Sequence, residues 1–161
     1  KSRWMLRDVL RKAAQLNLPI APPYSHPFKS LTSLRLACCA MSPEARLRLI
    51  DVLWRATWAE SRDVSEAGVL RACLDVAGLD ATHLLAESSG EAVKDRLRAN
   101  TDTALASGAF GVPTMFVRGQ MFWGYDDLGF LEAFLQGRDP LAAAADFSAW
   151  MKVRPSVQRR R

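Results

Sequence analysis

Cysteine is scarce and poorly spaced for redox work: 161 residues hold only Cys38, Cys39 and Cys73, with no C-x-x-C pair. An odd count without regular spacing argues against both a secreted disulfide framework and a zinc ribbon, and points to a reducing, cytoplasmic setting. Histidine is rarer still, with His26 and His83 alone. His26 reads as a loop residue and His83 as a helix decoration, so no metal constellation is expected. No apolar run approaches the roughly 18 residues needed to cross a bilayer. A soluble chain with no membrane association follows. Nor does the start, KSRWMLRD, hold an initiator Met or the apolar core of a signal peptide. The expectation is a processed chain or part of a longer one.

Acidic residues are outnumbered, 17 against 22 Lys and Arg, for a net charge of +5. That excess would invite a nucleic-acid partner, but the last eight residues, RPSVQRRR, hold four arginines. Without them the body is close to neutral, and no nucleic-acid partner is expected. A terminal arginine cluster reads as a solvated tail.

What the chain does have is helix. Between Ser2 and Leu16 the residues Leu6, Val9, Leu10, Ala13 and Leu16 recur at helical spacing, and Asn17 is a stop. NLPIAPPYSHPFK then carries four of the eight prolines and must be an extended loop. SLTSLRLACCAM reads as a buried helix with Cys38 and Cys39 as small core residues. Ser42-Pro43 opens the next, whose inner face is expected to hold Leu47, Ile50, Leu53, Trp54 and Trp58. Further helices are expected from Ser65 to Gly78, from the cap Asp80, and from Gly90 to Gly108.

After Gly108 the pattern changes. TMFV and QMFW are short β-prone runs separated by Arg118-Gly119, the spacing of a two-residue hairpin. Asp126 or Asp127 then caps a helix with Leu128, Leu131, Phe134 and Leu135 inward, and Asp139-Pro140 opens a last helix through Trp150. Two strands alone are marginal. The hairpin therefore implies further sheet beyond these strands.

The order proline, strand, turn, strand, helix, entered through FGVPT at 110–114 and left through WGYD at 123–126, resembles the 2-hydroxychromene-2-carboxylate isomerases and the kappa-class glutathione transferases of the DsbA-like thioredoxin superfamily. Trp4, Asp8 and Arg11, then Asn17-Leu18-Pro19 and HPFKSLTSLR, extend the likeness upstream as far as Gln136 downstream. Two substitutions depart from the family pattern: Lys29 stands where an Asn is usual, and Asp127 where an Arg follows the Trp-Gly-x-Asp. The family's first strand, its Ser-Pro-x-Ser turn and its second strand would lie before Lys1.

The resemblance implies an α/β thioredoxin-like fold of the DsbA and kappa type with a large helical insertion, the first strand-helix-strand unit lacking. Residues 1–29 would be a helix and proline-rich loop, 30–107 the insertion packed over the hairpin, 108–151 the second half of the thioredoxin-like domain plus a terminal helix, and 152–161 a basic tail. It implies a cis bond before Pro113 and a glutathione site at Val112, Trp123, Gly124, Tyr125 and Asp126, with Lys29 toward a substrate carboxylate. The activity implied is glutathione-dependent cis-trans isomerisation of an aromatic-catabolism intermediate, with a catalytic serine upstream of Lys1 and this stretch alone inactive. A kappa-type transferase acting on an electrophile and a DsbA-like thiol-disulfide oxidoreductase are the alternatives. A homodimer is compatible with the resemblance.

Overall fold

The computed structural model describes residues 2–141 and 146–154. Two compact units emerge, Lys1–Ala104 and a second beginning at Leu105, the division falling within the last turn of a helix.

The first unit is helical. Helix α1 spans Ser2–Gln15, and Asn17 ends it in the left-handed region at φ 53°, a conformation Asn tolerates better than most residues. Its apolar stripe forms at the expected spacing, yet only Ala13 is buried; Leu6, Val9, Leu10 and Leu16 are exposed among the described residues. The proline-rich loop follows as expected, anchored where the Ala21 N–H donates to the Trp58 carbonyl at 2.6 Å. Its His26-Pro27 bond is cis.

Helix α2 covers Leu31–Ala37 only, shorter than the apolar run SLTSLRLACCAM suggested. Cys38 and Cys39 lie in the turn that ends it, and both are buried. The stop has a physical cause: Arg46 donates to the carbonyls of Ala37 and Cys39 at 2.9 and 3.2 Å, and Arg96 donates to that of Cys38. Three terminal carbonyls find guanidinium donors in place of further helical turns.

Helix α3 (Pro43–Trp58) begins where Ser42 Oγ accepts from the Ala45 N–H at 3.2 Å. The face expected inward is corrected. Leu47 and Trp54 are exposed and Ile50 and Trp58 only half-buried; Leu53 is buried as expected, and Ala45, Leu49, Ala56 and Thr57 are buried with it. Two apolar stripes run along this helix, and the slimmer Ala-Leu-Leu-Ala stripe is the one its neighbours approach closely. Trp54 and Trp58 still stack, with centroids 6.3 Å apart and planes at 22°. Trp58 is half-buried against the His26 and Phe28 rings of the loop.

Helices α4 (Ala67–Val76), α5 (Ala81–Ser88) and α6 (Glu91–Ala106) complete the helical set. Asp80 caps α5 by accepting from the His83 N–H at 2.9 Å, as expected. Leu36, Leu49, Leu70, Cys73, Leu74 and Val93 form the centre of the core. No helix among the described residues is long and apolar enough to cross a membrane.

The second unit holds the hairpin where it was expected. Strand β1 (Thr114–Val117) pairs antiparallel with β2 (Gln120–Trp123), Val117 opposite Gln120 and Thr114 opposite Trp123. Arg118 and Gly119 both have positive φ, 48° and 80°, the signature of a type I′ turn matched to strand twist. A 3-10 turn, Tyr125–Asp127, leads straight into α7, Leu128–Leu135. Leu131 and Phe134 of α7 are half-buried, and Phe134 meets the buried Phe122 ring at 5.5 Å. Leu128 and Leu135, expected inward, are exposed, because a two-stranded ribbon covers only a narrow strip of a helix.

The last helix is corrected as well. Pro140 and Leu141 form a bend, and the described helix α8 is only Ser148–Met151. Residues 142–145 of the expected helix, and 155–161 of the basic tail, lie outside the described residues.

Candidate functional site

The site is built around one turn. Gly111 to Thr114 folds on itself as Thr114 Oγ1 donates to the Gly111 carbonyl at 2.6 Å, and the Val112-Pro113 bond within it is cis, as the resemblance implied. The ladder continues beyond the strands: the Gly124 N–H donates to the Pro113 carbonyl at 2.9 Å. Pro113 and Gly124 are therefore a bonded pair, and antiparallel alternation makes Met115 with Phe122 and Val117 with Gln120 bonded pairs too.

Thr114 and Phe116 consequently turn their backbone groups away from β2. This outer edge of β1 is where further sheet would join. The opposite edge is closed differently: the outward N–H of Trp123 donates to Asp127 Oδ2 at 2.8 Å, which blunts β2 as an edge strand.

Val112 protrudes, with 92% of its surface exposed. Among the described residues neither its N–H nor its carbonyl has a hydrogen-bond partner. An exposed backbone pair of this kind can accept a short extended peptide in strand fashion. Beside it Gly124 adopts φ 79° and ψ 176°, a conformation only glycine takes without strain. Tyr125 and Asp126 follow at once in the 3-10 turn, both exposed.

The structure thus brings together Val112, Pro113, Trp123 and Gly124, with Tyr125 and Asp126 next in the chain. Asp127, at the N-cap of α7, makes no side-chain cap and turns back to the strand instead. Lys29 belongs to the first unit, exposed in the loop, where its charge helps hold the Asp63 carboxyl below its usual range, after the larger effect of two hydrogen bonds from Ser65.

Trp123 was expected at the site, but the parts of Phe110, Gly111 and Asp127 in holding it were not. Trp123 lays its indole over Gly111: a methyl group there would stand 2.6 Å from Nε1. Phe110 meets the same indole at 5.1 Å. Glycine directly before Val-Pro, and an aspartate four residues after the Trp, were the available signals.

The cysteines are buried, all three of them. Burial, with the Glu87 charge adding to it, pushes the Cys39 thiol up to about 11, and burial raises that of Cys73. Neither is poised for thiolate chemistry near neutral pH.

A model of the DsbA-like thioredoxin domain matches residues 1–136. The chain belongs to the DsbA-like thioredoxin domain family. Among its relatives is the 2-hydroxychromene-2-carboxylate isomerase of Sphingobium xenophagum, 30% identical over 135 residues, which are 84% of this chain and 68% of that protein. Glutathione S-transferase kappa 1 of Rattus norvegicus is 28% identical over 124 residues, 71% of this chain and 55% of its own length. The kappa 2 glutathione S-transferase of Caenorhabditis elegans is 28% identical over 162 residues, covering 92% and 67%. A solved structure of a 2-hydroxychromene-2-carboxylate isomerase superposes with a TM-score of 0.73 at 22% identity, over 84% of this chain and 66% of that one. The DsbA-like family thus spans this chain's cis-proline turn, hairpin and following helix. Its members here are an isomerase and glutathione transferases, and the chain spans between about half and two thirds of their length.

Proposed function

We propose that the cis-proline turn and the β2 exit form a glutathione site serving an isomerase of the 2-hydroxychromene-2-carboxylate type. The observation that carries this is the Val112 backbone, exposed and unpaired among the described residues beside the Pro113–Gly124 bond. Glutathione is an anionic tripeptide, and its cysteinyl portion fits such an open backbone pair. The amides of Tyr125 and Asp126 open the turn that runs into α7, where a γ-glutamyl carboxylate is favoured. The Asp126 carboxylate would accept from the γ-glutamyl ammonium.

When bound, glutathione supplies a thiolate that adds reversibly to a conjugated double bond, so that the bond can rotate before the thiolate leaves. This chain's residues hold and orient the peptide. No serine here matches the family's Ser-Pro-x-Ser turn, so the group that lowers the thiol pKa is assigned to polypeptide upstream of Lys1. The open edge of β1, the exposed stripe of α1 and the greater length of the relatives all favour such polypeptide. We assign 30–107 to a helical insertion of the thioredoxin-like domain. On this reading the 161 residues alone are inactive.

The kappa relatives favour a second reading, in which the same site would serve a transferase acting on an electrophile. The protein expressed with its natural upstream sequence separates the two readings. Isomerisation of 2-hydroxychromene-2-carboxylate that requires glutathione and consumes none supports the isomerase. Stoichiometric loss of glutathione to an electrophile points to the transferase, and turnover without glutathione removes both.

A further inference from the structure

Asp127 is the least expected residue of this region, an acid beside a site meant for an anionic peptide. Its carboxylate is already engaged, 2.8 Å from the Trp123 N–H. That amide is the outward-facing one at the end of β2, so the bond fixes the strand where it leaves the ladder. The side chain of the same residue reaches the other strand's entrance. Trp123 Nε1 stands 2.6 Å from where a Gly111 methyl would be, and Cε2 3.2 Å. Phe110 packs against the ring at 5.1 Å. Gly111 in turn is pinned to Thr114 across the cis-proline.

A continuous mechanical path therefore runs from the Asp127 carboxylate, through the Trp123 backbone and indole, to Gly111 and the turn that presents Val112. We propose that Asp127 is a positioning residue: by holding the Trp123 amide it keeps the indole seated on Gly111, and so fixes the attitude of the Val112 backbone. This rests on the reading of Val112 as the peptide-binding backbone. Asp127 itself touches no ligand. Its carboxylate is engaged by an N–H at the β2 edge and is held there.

The path has two ends, and each can be loosened separately. Asp127→Ala removes the acceptor; Asp127→Asn keeps an oxygen acceptor but drops the charge. Gly111→Ala leaves Asp127 intact and forces the indole ring to shift, since the added methyl meets only side-chain atoms of Trp123. In the naturally expressed protein, calorimetric titration with glutathione is expected to weaken roughly tenfold in Asp127→Ala, the scale of one hydrogen bond to a charged group. Gly111→Ala should weaken it comparably, and Asp127→Asn should restore most of the affinity. If Ala and Asn at 127 both tighten binding, Asp127 acts as a repelling charge and the proposal is overturned. A lower Tm in Asp127→Ala with unchanged affinity overturns it equally.

Nuclear magnetic resonance of the same variants reads the path without ligand. Asp127→Ala must speed exchange of the Trp123 amide and move the indole N–H resonance, while Asp127→Asn leaves that resonance close to the wild-type position. An indole resonance unmoved in Asp127→Ala contradicts the positioning role even if the wild-type protein binds no glutathione. Absent glutathione binding with a moved resonance would instead sink the ligand reading and leave the path standing.

Discussion

The Gly124 N–H donates to the Pro113 carbonyl at 2.9 Å, one pair beyond the last strand pair, Thr114 with Trp123. Through this bond the hairpin ladder reaches the proline turn, so the entrance of β1 and the exit of β2 are held as one piece. Everything proposed for the site depends on that junction, and the junction depends on glycine.

Gly124→Ala should therefore destabilise the protein. Nothing lies within 4 Å of the added methyl, so the cost is conformational, arising from φ at 79° with ψ at 176°, and should be about 1–3 kcal/mol. Urea unfolding of both proteins measures it. A loss within the error of the extrapolation would mean that the turn relaxes freely.

The two apolar stripes of α3 make opposite predictions. Leu49 is fully buried and Trp54 is 60% exposed. Leu49→Ala should cost about 2–5 kcal/mol, the range for emptying a core leucine site. Trp54→Ala should cost less than about 1 kcal/mol, as surface substitutions do. The reverse order in denaturant unfolding would restore the tryptophan face as the inner one.

Stability should fall on the alkaline side because of Cys39. Its thiol rises from 9.0 to about 11 in the folded protein, so the unfolded chain loses its proton first. The contribution is fully present below pH 9.0, declines as pH rises, and is lost by about 11. Two pKa units correspond to roughly 2–3 kcal/mol. Cys39→Ala lowers stability by a constant amount but removes this slope, so the two unfolding curves should converge between those pH values. Parallel curves would show that Cys39 keeps its thiol pKa on folding.

Asp126→Asn should weaken glutathione binding by about 1.5–3 kcal/mol, the scale of a hydrogen bond to a charged group. Asn and Asp suit a helix entrance about equally, so folding should change little. Calorimetric titration decides it: an unchanged affinity removes Asp126 from the γ-glutamyl contact.

Much of this was legible because it is written in local chemistry. Arg118-Gly119 can take two positive φ values, so the hairpin and its register follow. Ser42-Pro43 and Asp80 announce helix starts that form as expected. The cis bond at Pro113 came from family likeness, and that at Pro27 had no signal. What failed to show was decided by packing across sequence distance. The guanidinium groups of Arg46 and Arg96 end α2 from 9 and 58 residues away. Which stripe of α3 turns inward depends on neighbours, not on the bulk of its own tryptophans. In the site, Asp127 resembled a helix cap, and only the fold shows its carboxylate at the Trp123 amide.

The most direct test is a glutathione titration of the isotope-labelled protein, expressed with its natural upstream sequence and followed residue by residue through its amide resonances. Saturable shifts largest at Val112, Gly124, Tyr125 and Asp126 are the predicted result. No saturable shift, or shifts confined to residues 1–104, would contradict a glutathione site at the proline turn.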